Sequence, residues 1–334
     1  MAKILFLGGT GLISNACTRY AAENGLDLTV LNRGISQQQR YPLPQGVRSV
    51  QVNLGDEASM VEVLRNEHFD VVVDWIAFTE TDIDRAKRLF AGKVGQYVFI
   101  SSASAYQKPP KHYIVTEETP LENPFNEYSR NKIACENVLK RAWQNEQFPV
   151  TIVRPSSTYG QGQVPVLLNS WTKPYTIIDR IRDGREVIIP GDGTSLWVPT
   201  WNEDFATGFM PLLGDTRTIG QAYHITSDEV LAWDQVYDYL AAAAGKDIKA
   251  VHIASDFITK ICPEEEGALA GDRSHSLVFD NSKVKSIVPS FECKVDWAEG
   301  MRRCVAWFDA DQRRQGVDDG QNLKIDRILA AYNR

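Results

Sequence analysis

The chain has 334 residues and a net charge of −7, with 43% hydrophobic, 24% charged and 10% aromatic residues, which suits one large globular domain or a domain with a smaller appendage. Its pI near 5.4 leaves it without the basic footprint that a general nucleic-acid surface needs, and no apolar run approaches the roughly 18 residues of a membrane span. The five cysteines (Cys17, Cys135, Cys262, Cys293, Cys304) and the five histidines are scattered. That argues against a zinc site or a disulfide framework and for reduced thiols in the cytoplasm.

Residues 1–155 alternate short apolar runs with helical patterns. The N-terminal "MAKILFLGGTG" lacks the cleavage site of a signal peptide and reads as the first strand, 3–9. Further strands are expected over 28–32, 48–53, 70–76, 95–101 and 149–155, with helices near 11–24, 57–67, 80–91 and 126–147. The runs are rich in Val and Ile and nearly free of charge, as in parallel strands buried on both faces. The alternation predicts an α/β fold, a Rossmann-like doubly wound parallel sheet with right-handed crossovers.

Beyond Pro155 the pattern predicts helices near 170–183, from Asn202, over 232–245 and 295–313, with strands at "REVIIP", "QAYHITS" and 248–253. Residues 1–155 therefore read as a dinucleotide-binding domain, with a returning segment at about 200–230. Residues 156–315 read mainly as a smaller α/β substrate lobe beside the carboxyl ends of the strands. Residues 316–334 read as a polar hinge and one amphipathic helix, a docking or dimer element.

Two stretches point to a nicotinamide dinucleotide. "FLGGTGLIS" hands the first strand to the first helix, and its glycines let backbone N–H groups approach a pyrophosphate at a helix N-terminus. Gly8, Thr10, Gly11, Leu12 and Ile13 are the candidate contacts, with Ser14 where a third glycine often stands. The second strand ends in "LNRG". A carboxylate there would hold the ribose diol of NAD, whereas Asn32 and Arg33 suit the extra phosphate of NADP. NADP is favoured, with NAD retained as the alternative in which Arg33 is a solvated loop residue.

"NEYSRNKIACENVLK" puts Tyr128 and Lys132 four residues apart, on one helical face, and "YVFISSASAY" puts Ser101 and Ser102 at the carboxyl edge of the sheet. With "RPSSTYG" and with "IPGDG" followed by "NEDFA", the whole chain resembles the extended short-chain dehydrogenase/reductase superfamily, in its NAD-dependent epimerase/dehydratase branch. The resemblance implies that Ser102 holds the substrate oxygen, Tyr128 is the acid/base and Lys132 holds the nicotinamide ribose. It also implies that Asn53 and Leu54 touch adenine, Ile76 and Ala77 line the pyrophosphate, and Pro155 lies along the nicotinamide. An ammonium about 4 Å from the phenol is worth roughly 4 kcal/mol at an effective dielectric near 20, nominally about three pKa units. With an oxidised nicotinamide adding positive charge, a phenolate near neutral pH is expected.

Several features narrow the reading. Ala103 and Ser104 stand where dehydratases of the family carry an acidic pair, which argues against sugar dehydration. Trp197 and Trp201 occupy the segment that commonly carries an arginine for a nucleotide diphosphate, leaving Arg182, Arg185 and Arg273 as substitutes. The expected activity is an NAD(P)-dependent oxidoreductase or epimerase acting on a sugar or sugar derivative, free or nucleotide-linked, in a chain that resemblance makes a homodimer. The alternatives are a non-catalytic NADP-binding regulator and an RNA-binding module, since "LNRG" with "IIDRIRDGREVIIPGDG" also resembles the chloroplast stem-loop-binding relatives of the family.

Overall fold

A computed structural model describes residues 2–34 and 41–333. Seven strands form the main sheet: β1 (Lys3–Leu7), β2 (Asp27–Asn32), β3 (Arg48–Gln51), β4 (Val71–Asp74), β5 (Gln96–Ile100), β7 (Val150–Pro155) and β12 (Ala222–Ile225). Their order is β12-β7-β5-β4-β1-β2-β3, and all neighbours are parallel. This is the doubly wound arrangement, reversing direction between β1 and β4, and ligands bind in the crevice at such a reversal.

Alternate residues of every strand but the largely exposed edge strand β3 feed two cores. Phe6, Val30 and Val73 face α1 (Leu12–Glu23) and α6 (Asn202–Phe209), while Leu5, Val72 and Phe99 face α3 (Glu80–Phe90) and α4 (Glu127–Glu146). The short α2 (Glu57–Leu64) adds Met60 to the second core. Burial on both faces explains why these strands read as unbroken apolar runs. The first strand stops at Leu7, two residues short of expectation, because Gly8 turns the chain with φ +86°.

The second lobe contains α5 (Thr176–Arg182), α7 (Trp233–Ala244), α8 (Ser255–Ile261), α11 (Trp297–Asp309) and α12 (Asp319–Tyr332), with β9 (Glu186–Pro190) parallel to β14 (Lys249–Ile253). Two-residue strands knit the lobe together: β8 (Thr158–Tyr159) with β11 (Thr200–Trp201), and β10 (Leu196–Trp197) with β13 (Leu231–Ala232). β6 (Ile114–Val115) pairs with β15 (Val278–Phe279), and short helices α9 (Glu266–Ala268) and α10 (Ser282–Ile287) complete the chain. α12 packs Ile325, Ile328 and Leu329 onto Ile188, Ile253 and Ile258 of its own lobe.

The helix expected over 170–183 begins only at Thr176. Pro174 has no N–H to give a helix, Leu168 adopts φ +55°, and Asn169 Nδ2 donates to the carbonyls of Val164 (2.9 Å) and Pro174 (3.0 Å). The result is a loop laid against the carboxyl end of the sheet.

Candidate functional site

The carboxyl ends of β1, β5 and β7 open into a cleft of about 920 Å³. Gly11, Leu12 and Ile13 form one wall at the start of α1. The first turn of α1 has no acidic residue and no side-chain cap, so its free N–H groups and positive dipole end form an anion cradle. Ser14 takes the third-glycine place, and its hydroxyl accepts from the Gly11 N–H at 3.0 Å. A Cβ on Gly8 would lie 3.0 Å from Ile76 Cγ2, so this turn and the end of β4 leave no room for a larger residue. A dinucleotide pyrophosphate fits this set of donors.

On the opposite wall the α4 helix starts at Asn126, whose side chain caps the Tyr128 N–H at 2.9 Å. One turn then brings Tyr128 and Lys132 to the same side, and both line the cleft with Ser102 and Pro155. Lys132 is buried, donating from Nζ to the carbonyls of Ala77 (2.7 Å) and Ile100 (2.8 Å) and lying 4.4 Å from the Phe78 ring centroid. Burial lowers its ammonium to about 8, against an attraction to Asp74 that raises it.

Tyr128 sits apart from the ammonium. The Lys132 Nζ sits 5.7 Å from the Tyr128 ring centroid, committed to two carbonyls. Tyr128 keeps 41% of its surface open, yet the packing around its hydroxyl raises the phenol above its ordinary value of 10, with a hydrogen bond from Ser102 acting to lower it. In the protein without a nicotinamide, burial therefore favours the protonated phenol; the phenolate is expected with the oxidised nicotinamide in place.

The remaining expected contacts lie outside the cleft wall, along the same sheet edge. Thr10 is buried in the glycine turn. Asn32 donates to Ser49 Oγ at 3.1 Å and accepts the Gly34 N–H at 2.7 Å, while Arg33 is exposed. Asn53 is exposed and accepts the Gly55 N–H at 3.1 Å, and Leu54 is buried among apolar residues. Ile76 and Ala77 both donate backbone N–H to Asp74 Oδ1 at 2.9 Å.

Asp74 was not singled out in the sequence. It also accepts from the Tyr97 hydroxyl at 2.8 Å, so one buried carboxylate fixes the turn whose Ala77 carbonyl holds Lys132. A second buried network supports α4. Glu136, one turn beyond Lys132, takes a two-point ion pair from Arg154 (2.8 and 2.7 Å) and a hydrogen bond from Ser101 at 2.7 Å. Its spacing from Lys132 was the one signal the sequence offered.

Trp197 stacks on Trp233 with centroids 4.8 Å apart, and Trp201 meets Tyr159 edge-on at 5.2 Å. Both are buried packing residues outside the cleft. Arg182 is paired with Asp309 and Arg185 with Asp326, also outside it, and of the three proposed substitutes only Arg273 lines the cleft. The far end of the cleft comes from places the sequence did not mark: Trp171, Glu264, Glu265 and, from α12, Gln321 and Lys324. No helix among the described residues is long and apolar enough to cross a membrane.

Known proteins resemble the chain along most of its length. The chain is 24% identical over 290 residues to 2'-dehydrokanamycin reductase of Streptomyces kanamyceticus, covering 87% of this chain and 80% of that one. It is 23% identical over 253 residues to the chloroplast stem-loop binding protein of 41 kDa b of Arabidopsis thaliana, covering 73% of this chain but only 63% of the relative. An epimerase structure from Methanothermobacter thermautotrophicus superposes with a TM-score of 0.75 at 17% identity, over 93% of each chain. The NAD dependent epimerase/dehydratase family itself matches over residues 4–91 and 86–226, and the chain belongs to that family of enzymes.

Proposed function

We propose that the protein is an NAD(P)-dependent oxidoreductase or epimerase that acts on a sugar or sugar derivative by hydride transfer. The observation that carries this reading is the meeting of Ser102, Tyr128 and Lys132 with the bare N-terminus of α1 in a single cleft. A nicotinamide dinucleotide bound there supplies or accepts the hydride. Tyr128 gives or takes the proton on the substrate oxygen, Ser102 hydrogen-bonds that oxygen, and Lys132 would hold a ribose hydroxyl. Residues 1–155 hold the dinucleotide and the lobe from 156 holds the substrate.

Arg33, with Asn32 in place of a carboxylate, supports NADP over NAD. The substrate is a free sugar derivative more than a nucleotide-linked one, because two of the three candidate arginines, Arg182 and Arg185, are paired away from the cleft and Arg273 alone lines it. The named relative that acts on a dehydrokanamycin supports the same preference.

The test is the loss of nicotinamide absorbance when NADPH or NADH is mixed with panels of keto-sugars, free and nucleotide-linked. We expect turnover with the free class, and its loss in Tyr128→Phe with cofactor binding retained. A Tyr128→Phe variant that turns over at the wild-type rate overturns the assignment.

A further inference from the structure

The far end of the cleft presents groups that the proposed hydride chemistry does not use. Trp171 lines it and keeps 66% of its surface open, although large aromatic side chains are mostly buried. Its loop is fastened to α12 and the residues leading into that helix. Ser170 Oγ donates to Asp318 Oδ2 at 2.7 Å, Lys173 Nζ to the Val317 carbonyl at 2.8 Å, and Gln321 Nε2 to the Leu168 carbonyl at 2.7 Å. The indole is thus an open aromatic surface on a fixed support, as binding sites require.

Asp272 and Arg273 line the same cleft from a π-type turn, Leu269–Arg273, a rare geometry that recurs at functional sites. This segment is tied to the start of α4. Asn123 Nδ2 donates to the Gly271 carbonyl at 2.8 Å, and Asn126 Nδ2 donates to the Gly267 carbonyl at 3.2 Å. Among the described residues neither the Asp272 carboxylate nor the Arg273 guanidinium makes a hydrogen bond or an ion pair. The buried Lys108 attracts Asp272 but does not line the cleft. The other charges at this end are committed to each other, since Lys324 Nζ pairs with Glu265 at 2.7 Å and Glu264 at 3.3 Å. One acceptor and one donor are left open to a ligand.

We propose that this end of the cleft is a subsite for a second, hydroxyl-bearing sugar ring, so that the substrate is a glycoside whose keto ring reacts at Tyr128 while its neighbour stacks on Trp171. A sugar ring has a face of C–H bonds that suits the negative face of an indole, and a rim of hydroxyls that both donate and accept. Asp272 accepts from one such hydroxyl and Arg273 donates to another. A nucleotide diphosphate fits less well. Its base could stack, but its negative charges would meet a single free guanidinium with the Asp272 carboxylate beside it. The inference rests on the proposed function, which puts the reacting ring at Tyr128, and its test is read by binding alone.

Binding to the full protein loaded with NADPH is followed by saturation-transfer NMR. The probes are lactose, maltose, cellobiose and gentiobiose, with glucose and galactose as single rings and UDP-glucose and UDP as nucleotides. At least one disaccharide is expected to bind about tenfold more tightly than its component monosaccharides. Trp171→Ala removes that advantage, and Trp171→Phe, which keeps an aromatic face, retains most of it. Asp272→Ala and Arg273→Met each weaken the disaccharide by about tenfold and leave the monosaccharides as they were. NADPH affinity, read by calorimetry, stays at the wild-type value in all four variants. Disaccharides that gain nothing over single rings, or a gain that survives Trp171→Ala, overturn the proposal. So does UDP-glucose binding more tightly than every disaccharide and depending on Trp171, which makes the subsite one for a nucleotide. A protein that does not take up NADPH fails the proposed function instead.

Discussion

Replacing Lys132 with Met tests the electrostatics of the site through the stability of the protein alone. Lys132 is 2% exposed, and its ammonium is lowered by burial from an ordinary 10.5 to about 8. The folded protein therefore releases this proton at lower pH than the unfolded chain does. Between about pH 8 and 10.5 the unfolded state carries the extra proton, so stability rises with pH across that window. A gap of about 2.5 pH units is worth roughly 3 kcal/mol. Urea unfolding of wild type and Lys132→Met from pH 7 to 10.5 measures it, since ionisations common to both cancel in the difference. The wild type is expected to gain on the variant as pH rises from 8, by up to about 3 kcal/mol. A difference that stays flat, or moves the other way, refutes the claim that the ammonium is buried at a cost.

Three further outcomes follow from the supporting structure. Glu136→Gln strands the buried Arg154 guanidinium and is expected to lower urea-measured stability by about 3–5 kcal/mol, most of it regained when Arg154→Met is added. The Glu136 carboxyl is held below its ordinary 4.5 with Arg154 and Ser101 as partners, so its contribution is present above that pH and fades as pH falls through the lower folded value. Arg33→Ala is expected to weaken NADPH binding by about tenfold to a hundredfold while leaving NADH unchanged, the size of a lost charged hydrogen bond, read by calorimetric titration. Gly8→Ala forces a side chain onto a backbone at φ +86° and against Ile76; a loss of about 1–2 kcal/mol and weaker dinucleotide binding are expected by the same two assays.

The sheet was legible in the sequence because a parallel strand buried on both faces has a local signature, although the first strand was read two residues too far, into the glycine turn. Tyr128 and Lys132 were legible because one helical turn fixes their relation. Asp74 was not: its value lies in collecting two N–H groups and the Tyr97 hydroxyl, and only the turn after β4 makes it do so. The far wall of the cleft was hidden for another reason. Trp171, Glu264 and Lys324 are separated by long stretches of chain, and packing alone brings them to the same cleft. α12 read as a docking or dimer element because its apolar face is visible locally while its partners, Ile188 and Ile258, are remote. The tryptophans after "PGDG" were ambiguous for the same reason, and the structure gives them to packing.

The phenol of Tyr128 shows a limit of pairwise reasoning. Spacing along a helix correctly put an ammonium on the same side, but the two carbonyls that hold Lys132 come from β5 and the turn after β4. Burial then outweighs what that ammonium was expected to do.

The most direct measurement is the nucleotide itself. Freshly purified protein is denatured, the released small molecules are identified by absorbance and mass, and protein stripped of nucleotide is titrated with NADPH and NADH. The account predicts one nicotinamide dinucleotide per chain, either carried through purification or bound on titration, with NADPH the tighter. A protein that carries none and binds neither contradicts it.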